Sequence, residues 1–189
     1  MGTNAEKGLS QVKLNLGCGF TKRIGWINVD KYDNCEPDVV HDLNVFPYPW
    51  DDNSVDAIEM FHVLEHLEDW WGALGECARI LRPGGSIEIR VPDASSDDAL
   101  CCRDHNHVFS PTSFSGIRGM VVRRTNAEAM LSDNALPLNM VGFYRVPQPQ
   151  YWWMSRWPFK WLLKFCANHL RNFIWEQQFI FEKIGDKNE

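Results

Sequence analysis

Five short apolar runs, each closed by a turn signal or an acid, succeed one another through the first half of the chain, at residues 12–16, 26–30, 37–43, 55–61 and 86–91. Runs this short, bounded by Gly, Pro, Asn and Asp, read as strands. Between the fourth and fifth, Val63, Leu67, Trp70, Leu74, Cys77 and Leu81 recur every three or four residues, which predicts one long helix with a buried stripe, stopped by Arg82-Pro83-Gly84-Gly85. Strands alternating with crossovers imply a parallel sheet with right-handed connections. Six residues separate Gly19 from Trp26, too few for a crossover helix of about three turns, so a loop or single turn is expected there.

The pattern loosens after residue 93. Residues 94–154 read as a lid and substrate region, opening with acids, His105, His107 and the adjacent thiols Cys101 and Cys102. Ser110 and Pro111 suit the N-cap and first position of a short helix to about Val122. Pro137, Pro147 and Pro149 interrupt every run in 123–154, which resists assignment. Ser155 is placed to cap an amphipathic, Trp-rich helix within 155–175, with Phe159, Leu162, Leu163, Cys166, Leu170, Phe173 and Ile174 on one arc expected to dock on the sheet. Lys160, Lys164 and Arg171 lie opposite, beside Trp157 and Trp161. That side of 152–175 suits a membrane surface, a lipid-linked glycan or a second subunit. Residues 176–184 alternate as a closing strand.

A length of 189 residues favours one domain over 1–189, with 1–10 as a flexible N-terminus. The net charge of -6 supplies no basic field, so a nucleic-acid partner is not expected. The six cysteines show no CxxC spacing, which argues against a zinc ribbon or disulfide framework and fits a reducing cytoplasm. Residues 1–10 lack the apolar core of a signal peptide, and no run approaches the roughly 18 apolar residues of a transmembrane span.

The ligand chemistry gathers at the strand ends. Gly17 and Gly19 follow the first strand, where absent side chains let backbone approach a ligand and free N–H groups could hold a carboxylate. Cys18 between them is small and tolerated beside a cofactor rather than a nucleophile. Asp30 ends the second strand, placed to accept two ribose hydroxyls; Asp42 ends the third, placed to accept from an adenine amino group with Leu43 against the ring. A dinucleotide fingerprint needs a third glycine where Lys22 stands, and no P-loop Gly-Lys-Ser/Thr occurs.

The ordered segments LNLGCG (14–19), GWINVD (25–30), VVHDL (39–43), DDNSVDAIEMFHVLEHL (51–67), ILRPGG (80–85) and IEIRVPD (87–93) closely resemble class I S-adenosylmethionine-dependent methyltransferases, most of all the small type-11 kind, including bacterial ones associated with polysaccharide and cell-surface glycan synthesis. The resemblance implies a doubly wound, Rossmann-like α/β fold of seven strands with an antiparallel last strand. It also implies S-adenosylmethionine as cofactor, held by Gly17, Gly19, Asp30, Asp42 and the strand-four end at Met60-Phe61-His62. Asn15 stands where many relatives carry an acid, which removes one water-mediated contact.

Methyl transfer needs an aligned acceptor, a dry site, and a base when the acceptor starts as a hydroxyl. His62, His105 and His107 are the candidate catalytic groups. His62, Glu65 and His66 are spaced to share one face of the expected helix. With His107 they are similar to the metal-holding cluster of small-RNA 2′-O-methyltransferases, although Val-Leu-Glu-His is common in relatives without a metal, and no metal is expected. The acceptor is expected to be a small molecule or a glycan, the alternatives being metal-assisted RNA ribose methylation and a noncatalytic cofactor-binding scaffold.

Overall fold

The computed structural model describes residues 11–114, 117, 136–156 and 158–185. One sheet of seven strands runs in the order β3-β2-β1-β4-β5-β7-β6. Its strands are β1 (Lys13–Leu16), β2 (Ile27–Asp30), β3 (Val39–Val40), β4 (Val55–Phe61), β5 (Leu81–Pro92), β6 (Leu138–Pro147) and β7 (Ile174–Lys183). The first five pair in parallel, and β7 lies antiparallel between β5 and β6. From β1 the chain winds outward through β2 and β3, then returns to wind the other way from β4. The switch point, where ligands settle in such sheets, therefore lies between β1 and β4. The expected seven-stranded architecture, its antiparallel strand and its short first crossover are all present.

Alternation along the strands divides the sheet into two unlike faces. Leu14, Leu16, Ile58, Met60, Ile87, Ile89, Phe179 and Phe181 are buried on one face. Helix α1 (Trp70–Ile80) covers it with Ala73, Leu74, Cys77, Ala78 and Ile80, and Cys77 Sγ stands 3.9 Å from Met60 Sδ. Phe109 and Phe114 extend the same core, Phe114 meeting Phe179 at a centroid distance of 4.4 Å. The other face carries a polar ladder. Arg23 pairs with Glu59 at 2.6 Å, Arg90 with Glu88 at 2.8 Å, and Gln178 Nε2 donates to Glu88. The guanidinium groups of Arg23 and Arg90 cover the ring of Phe61.

The first crossover is held by side chains instead of a helix. Buried Asn15 donates from Nδ2 to the Thr21 carbonyl and to Asn28 Oδ1, each at 3.0 Å, and the Arg23 N–H donates to the same Asn28 oxygen at 2.7 Å. Asn15 is thus a structural anchor for the loop that carries the glycines.

Several expectations need correction. The helix expected from Val63 splits into a 3₁₀ turn, Leu64–His66, and α1, which begins only at Trp70. Asp69 caps it, Oδ1 accepting from the Gly72 N–H at 2.8 Å. The stripe marked burial correctly, since Val63 and Leu67 are in the core, but not conformation. The third strand shrinks to Val39–Val40, so Asp42 lies two residues past it. The 137–147 stretch is strand β6, with Pro137 and Pro147 bracketing it rather than breaking it.

Helix α3 (Lys160–His169) is shorter than expected, and Ser155 does not cap it: its hydroxyl donates back to the Trp152 carbonyl at 2.6 Å. α3 meets the sheet only at its edge, through Ile174 at the start of β7 and Arg145 of β6. Its buried Cys166 joins a satellite cluster with Met154, Phe173 and Ile174, while Phe159 and Leu170 of the supposed apolar arc are exposed. The helix expected from Ser110 reaches residues outside those described; 111–114 form a turn. A five-residue helix, α2 (Asp97–Cys101), stands in the lid region. No described helix is long and apolar enough to cross a membrane.

Candidate functional site

A cleft of about 730 Å³ opens beyond the carboxyl ends of β1, β2 and β4, lined among others by Gly17, Gly19, Asp30, Asp42, Leu43 and His62. Six of the eight residues expected to hold cofactor therefore meet in one cavity, and its size suits a drug-sized ligand. Cys18 and Phe61 do not line it. The Cys18 side chain is buried, and burial together with the charge of Asp30 pushes its thiol pKa up, which fits the expectation of an inert thiol. Phe61 points to the polar face of the sheet, between Arg23 and Arg90, as strand alternation requires.

Gly17 is needed for two reasons. Its φ is +68°, and a Cβ there would come within 2.3 Å of Val63 Cγ2. Gly19, at φ +48°, faces open space. Its N–H is not free for a ligand carboxylate as expected: it donates to Asp30 Oδ2 at 2.8 Å, while the Tyr32 N–H donates to Oδ1 at 3.0 Å. Asp30 thereby ties the glycine loop to the end of β2, its carboxylate aimed by backbone donors. Each carboxylate oxygen keeps acceptor capacity for a ribose hydroxyl.

Asp42 is aimed by a local turn. The Asn44 N–H donates to Asp42 Oδ1 at 3.0 Å, and Asn44 Oδ1 accepts from the Glu68 N–H at 2.9 Å. No hydrogen bond to Oδ2 occurs among the described residues. The Tyr48 hydroxyl donates to the Leu43 carbonyl at 3.0 Å from a buried position. Arg79 secures the following loop through the Tyr48 and Trp50 carbonyls, Asp52 and Glu76. Nothing in the sequence announced Arg79 or Tyr48 as supports of this site, because their partners are carbonyls in an irregular loop.

His62 sits at the head of the cleft with φ +56°, one ring nitrogen 3.0 Å from Glu176 Oε2 and the other 3.5 Å from Glu65 Oε1. Its ring stacks at 26° on Trp175. Glu176 first, then Glu65, hold the imidazole pKa up at about 9 against the effect of burial. A histidine charged at neutral pH has no lone pair with which to take a proton, so His62 is poorly suited as a base. His105 and His107 stand outside the lining. His107 Nε2 is 3.2 Å from the Glu68 carbonyl, and His66 enters the cleft instead, with Arg103, Asp104 and Asn106. The expected helical face of His62, Glu65 and His66 does not exist, since His62 is a bend with positive φ just past β4 and Glu65 and His66 lie in a 3₁₀ turn. Among the described residues the close Glu/His group is Glu65, His66 and His105, without His62 or His107.

Residues 26–89 match the family model of the methyltransferase domain, type 11. A probable S-adenosylmethionine-dependent methyltransferase of Mycobacterium tuberculosis is 31% identical over 93 residues, which is 49% of this chain and 30% of that protein. The chain spans 15–30% of the length of the curated relatives it matches. Among solved structures, a Haloferax volcanii protein crystallised with the Trm112 methyltransferase activator superposes with a TM-score of 0.58 at 17% identity, covering 95% of this chain and 85% of that one. An S-adenosylmethionine-dependent methyltransferase from Archaeoglobus fulgidus gives 0.58 at 15% identity, covering 92% and 86%. These two likenesses concern the fold.

Proposed function

For a chain with the class I methyltransferase fold and the type-11 methyltransferase domain signature, we propose that it binds S-adenosylmethionine in this cleft and transfers the sulfonium methyl to a small-molecule or glycan acceptor. The observation that carries the reading is the joint presence of Gly17, Asp30 and Asp42 in one cavity at the switch point. Asp30 accepts the ribose hydroxyls, Asp42 Oδ2 accepts the adenine amino group with Leu43 against the ring, and the Gly17–Gly19 loop admits the methionine end. Asp30 and Asp42 make the cavity favourable to the sulfonium cation. S-adenosylmethionine bound there would supply an electrophilic methyl: the acceptor's lone pair would form the new bond to carbon, the S–C bond pair would stay on sulfur in S-adenosylhomocysteine, and any acceptor proton would be released.

The acceptor approaches from the side of Arg103, Asp104 and Asn106. Away from the lining of the cleft, Trp152, Trp153, Trp161 and Phe165 are each more than half exposed, Arg156, Lys160 and Lys164 are exposed, and no acid occurs in 148–175. An aromatic and basic surface of this kind supports an acceptor carried on a glycan or an anionic lipid. Isothermal titration with S-adenosylmethionine and S-adenosylhomocysteine tests the cofactor reading. Binding of both at affinities on the order of micromolar is expected; no heat with either ligand, from folded protein, rejects it.

A further inference from the structure

Glu65 is only 1% exposed, yet among the described residues neither of its carboxylate oxygens has a hydrogen-bond partner. Its Oε1 lies 3.5 Å from Nδ1 of the charged His62, whose other nitrogen is 3.0 Å from Glu176 Oε2, so one imidazolium is divided between two buried carboxylates. A carboxylate removed from water in this way is costly unless a cation joins it. One ligating atom from each of Glu65, His66 and His105 lies within 4.8 Å of the other two.

The backbone fixes the histidine tautomers. His66 Nδ1 is 2.9 Å from the Asp104 carbonyl, and His105 Nδ1 is 3.4 Å from the Ala99 carbonyl. A carbonyl only accepts, so each Nδ1 carries a proton, and Nε2 is the nitrogen left to offer a metal in the neutral ring. Metal-ligating histidines share this arrangement, their outer N–H given to a carbonyl or carboxylate. The two segments are also locked together. The N–H groups of Asn106 and His107 both donate to the Glu65 carbonyl, at 2.8 and 3.1 Å, and Asn106 Nδ2 donates to the His66 carbonyl. Donors held on braced backbone are what a preorganised site requires.

We propose that Glu65, His66 and His105 bind a divalent first-row metal ion of the zinc type at the rim of the cleft. Two histidines and a carboxylate form a zinc donor set that leaves a fourth position for water or an oxygen ligand. Bonds of about 2.0–2.1 Å in tetrahedral geometry space the ligands roughly 3.4 Å apart. The 4.8 Å spread closes by rotation of the half-exposed His66 and His105 side chains. The proposal rests on donor geometry and is independent of methyl transfer.

The test uses the full chain, stripped with chelator, titrated with Zn²⁺ by calorimetry and with Co²⁺ by visible absorption. Binding of one ion is expected, with tetrahedral cobalt bands and no thiolate charge-transfer band. His105→Ala is expected to weaken Zn²⁺ binding at least about 100-fold, because losing an outer-shell partner alone costs about 10–100-fold. A double Cys101→Ser, Cys102→Ser variant is expected to bind as the parent does. Folded protein that binds no ion, or an affinity unchanged in His105→Ala, overturns the proposal, as does a thiolate band lost in the serine variant. Titrating the same samples with S-adenosylhomocysteine separates the two readings: binding of that ligand without Zn²⁺ sinks only the metal site, and the reverse sinks only the cofactor site.

Discussion

Asp30 and Asp42 stand within two residues of strand ends and are aimed by backbone N–H groups a few residues away. The end of β5 is held differently. Asp93, 2% exposed, receives Arg145 from β6 at 3.1 Å, and the same guanidinium reaches Asn168 on α3 at 3.2 Å. One buried ion pair thus joins the end of β5 to two elements that arrive more than fifty residues later. Backbone donors aim Asp30 and Asp42, whereas the end of β5 depends on a few long-range side-chain contacts, and the elements it meets expose much of their apolar surface. Under the proposed function, the first arrangement serves the cofactor and the second the acceptor.

The contrast can be broken first at its weakest joint. Arg145→Met leaves the Asp93 carboxylate buried and unpaired, and a loss of about 3–5 kcal/mol is expected in urea denaturation. If the halves are as separate as their contacts indicate, S-adenosylhomocysteine affinity in the folded fraction changes little; a large loss there would erase the distinction. Asp30→Ala is expected to do the opposite, weakening S-adenosylhomocysteine at least about 100-fold, or about 2.7 kcal/mol. Unchanged affinity in calorimetry would remove Asp30 from the ribose site.

A smaller effect is expected at Glu76, whose Oε2 accepts from the Tyr48 N–H at 2.7 Å and whose carboxylate binds Arg79. Arg79 first, with the Tyr48 N–H, holds its pKa below the ordinary carboxylate value. The folded pKa is depressed, so its stabilisation is present above the unfolded value, near 4.3, and fades as pH falls through the folded one. Glu76→Gln should cost about 1.5 kcal/mol at pH 7, and the gap from the parent should narrow in denaturation curves toward pH 3. The smallest change is expected on the exposed surface: Trp161→Ser, at a position 70% exposed, should alter stability by no more than about 0.5 kcal/mol. The same variant should reduce partition onto anionic vesicles if that surface meets a lipid, and equal partition would argue for a soluble acceptor.

The cofactor side was legible because its chemistry follows period and punctuation. Strand ends after Leu16 and Asp30 could be read from apolar runs and the residues that stop them. Phe61 shows the limit: it belongs to the right strand end but faces Arg23 and Arg90, since which face of the sheet stays polar is a tertiary fact. Strand β6 escaped notice because its exposed edge leaves Val141, Phe143 and Tyr144 in water, so no clean alternation marks it. His105 and His107 are equivalent in sequence, and only the fold of 102–107 onto Glu65 and Glu68 tells them apart.

The place of β7 in the sheet has a consequence in time. It is made last, yet it lies between β5 and β6 and supplies Glu176 to His62, a partner 114 residues upstream. A ribosome releases the glycine loop, Asp30 and Asp42 long before the strand that completes the head of their cleft. Until β7 emerges, β6 has no neighbour with which to pair and the end of β5 waits with an open edge. Assembly therefore cannot follow the order of synthesis. Pairings this distant in sequence make folding slow relative to a chain built from local hairpins, and the working cavity belongs only to the finished chain.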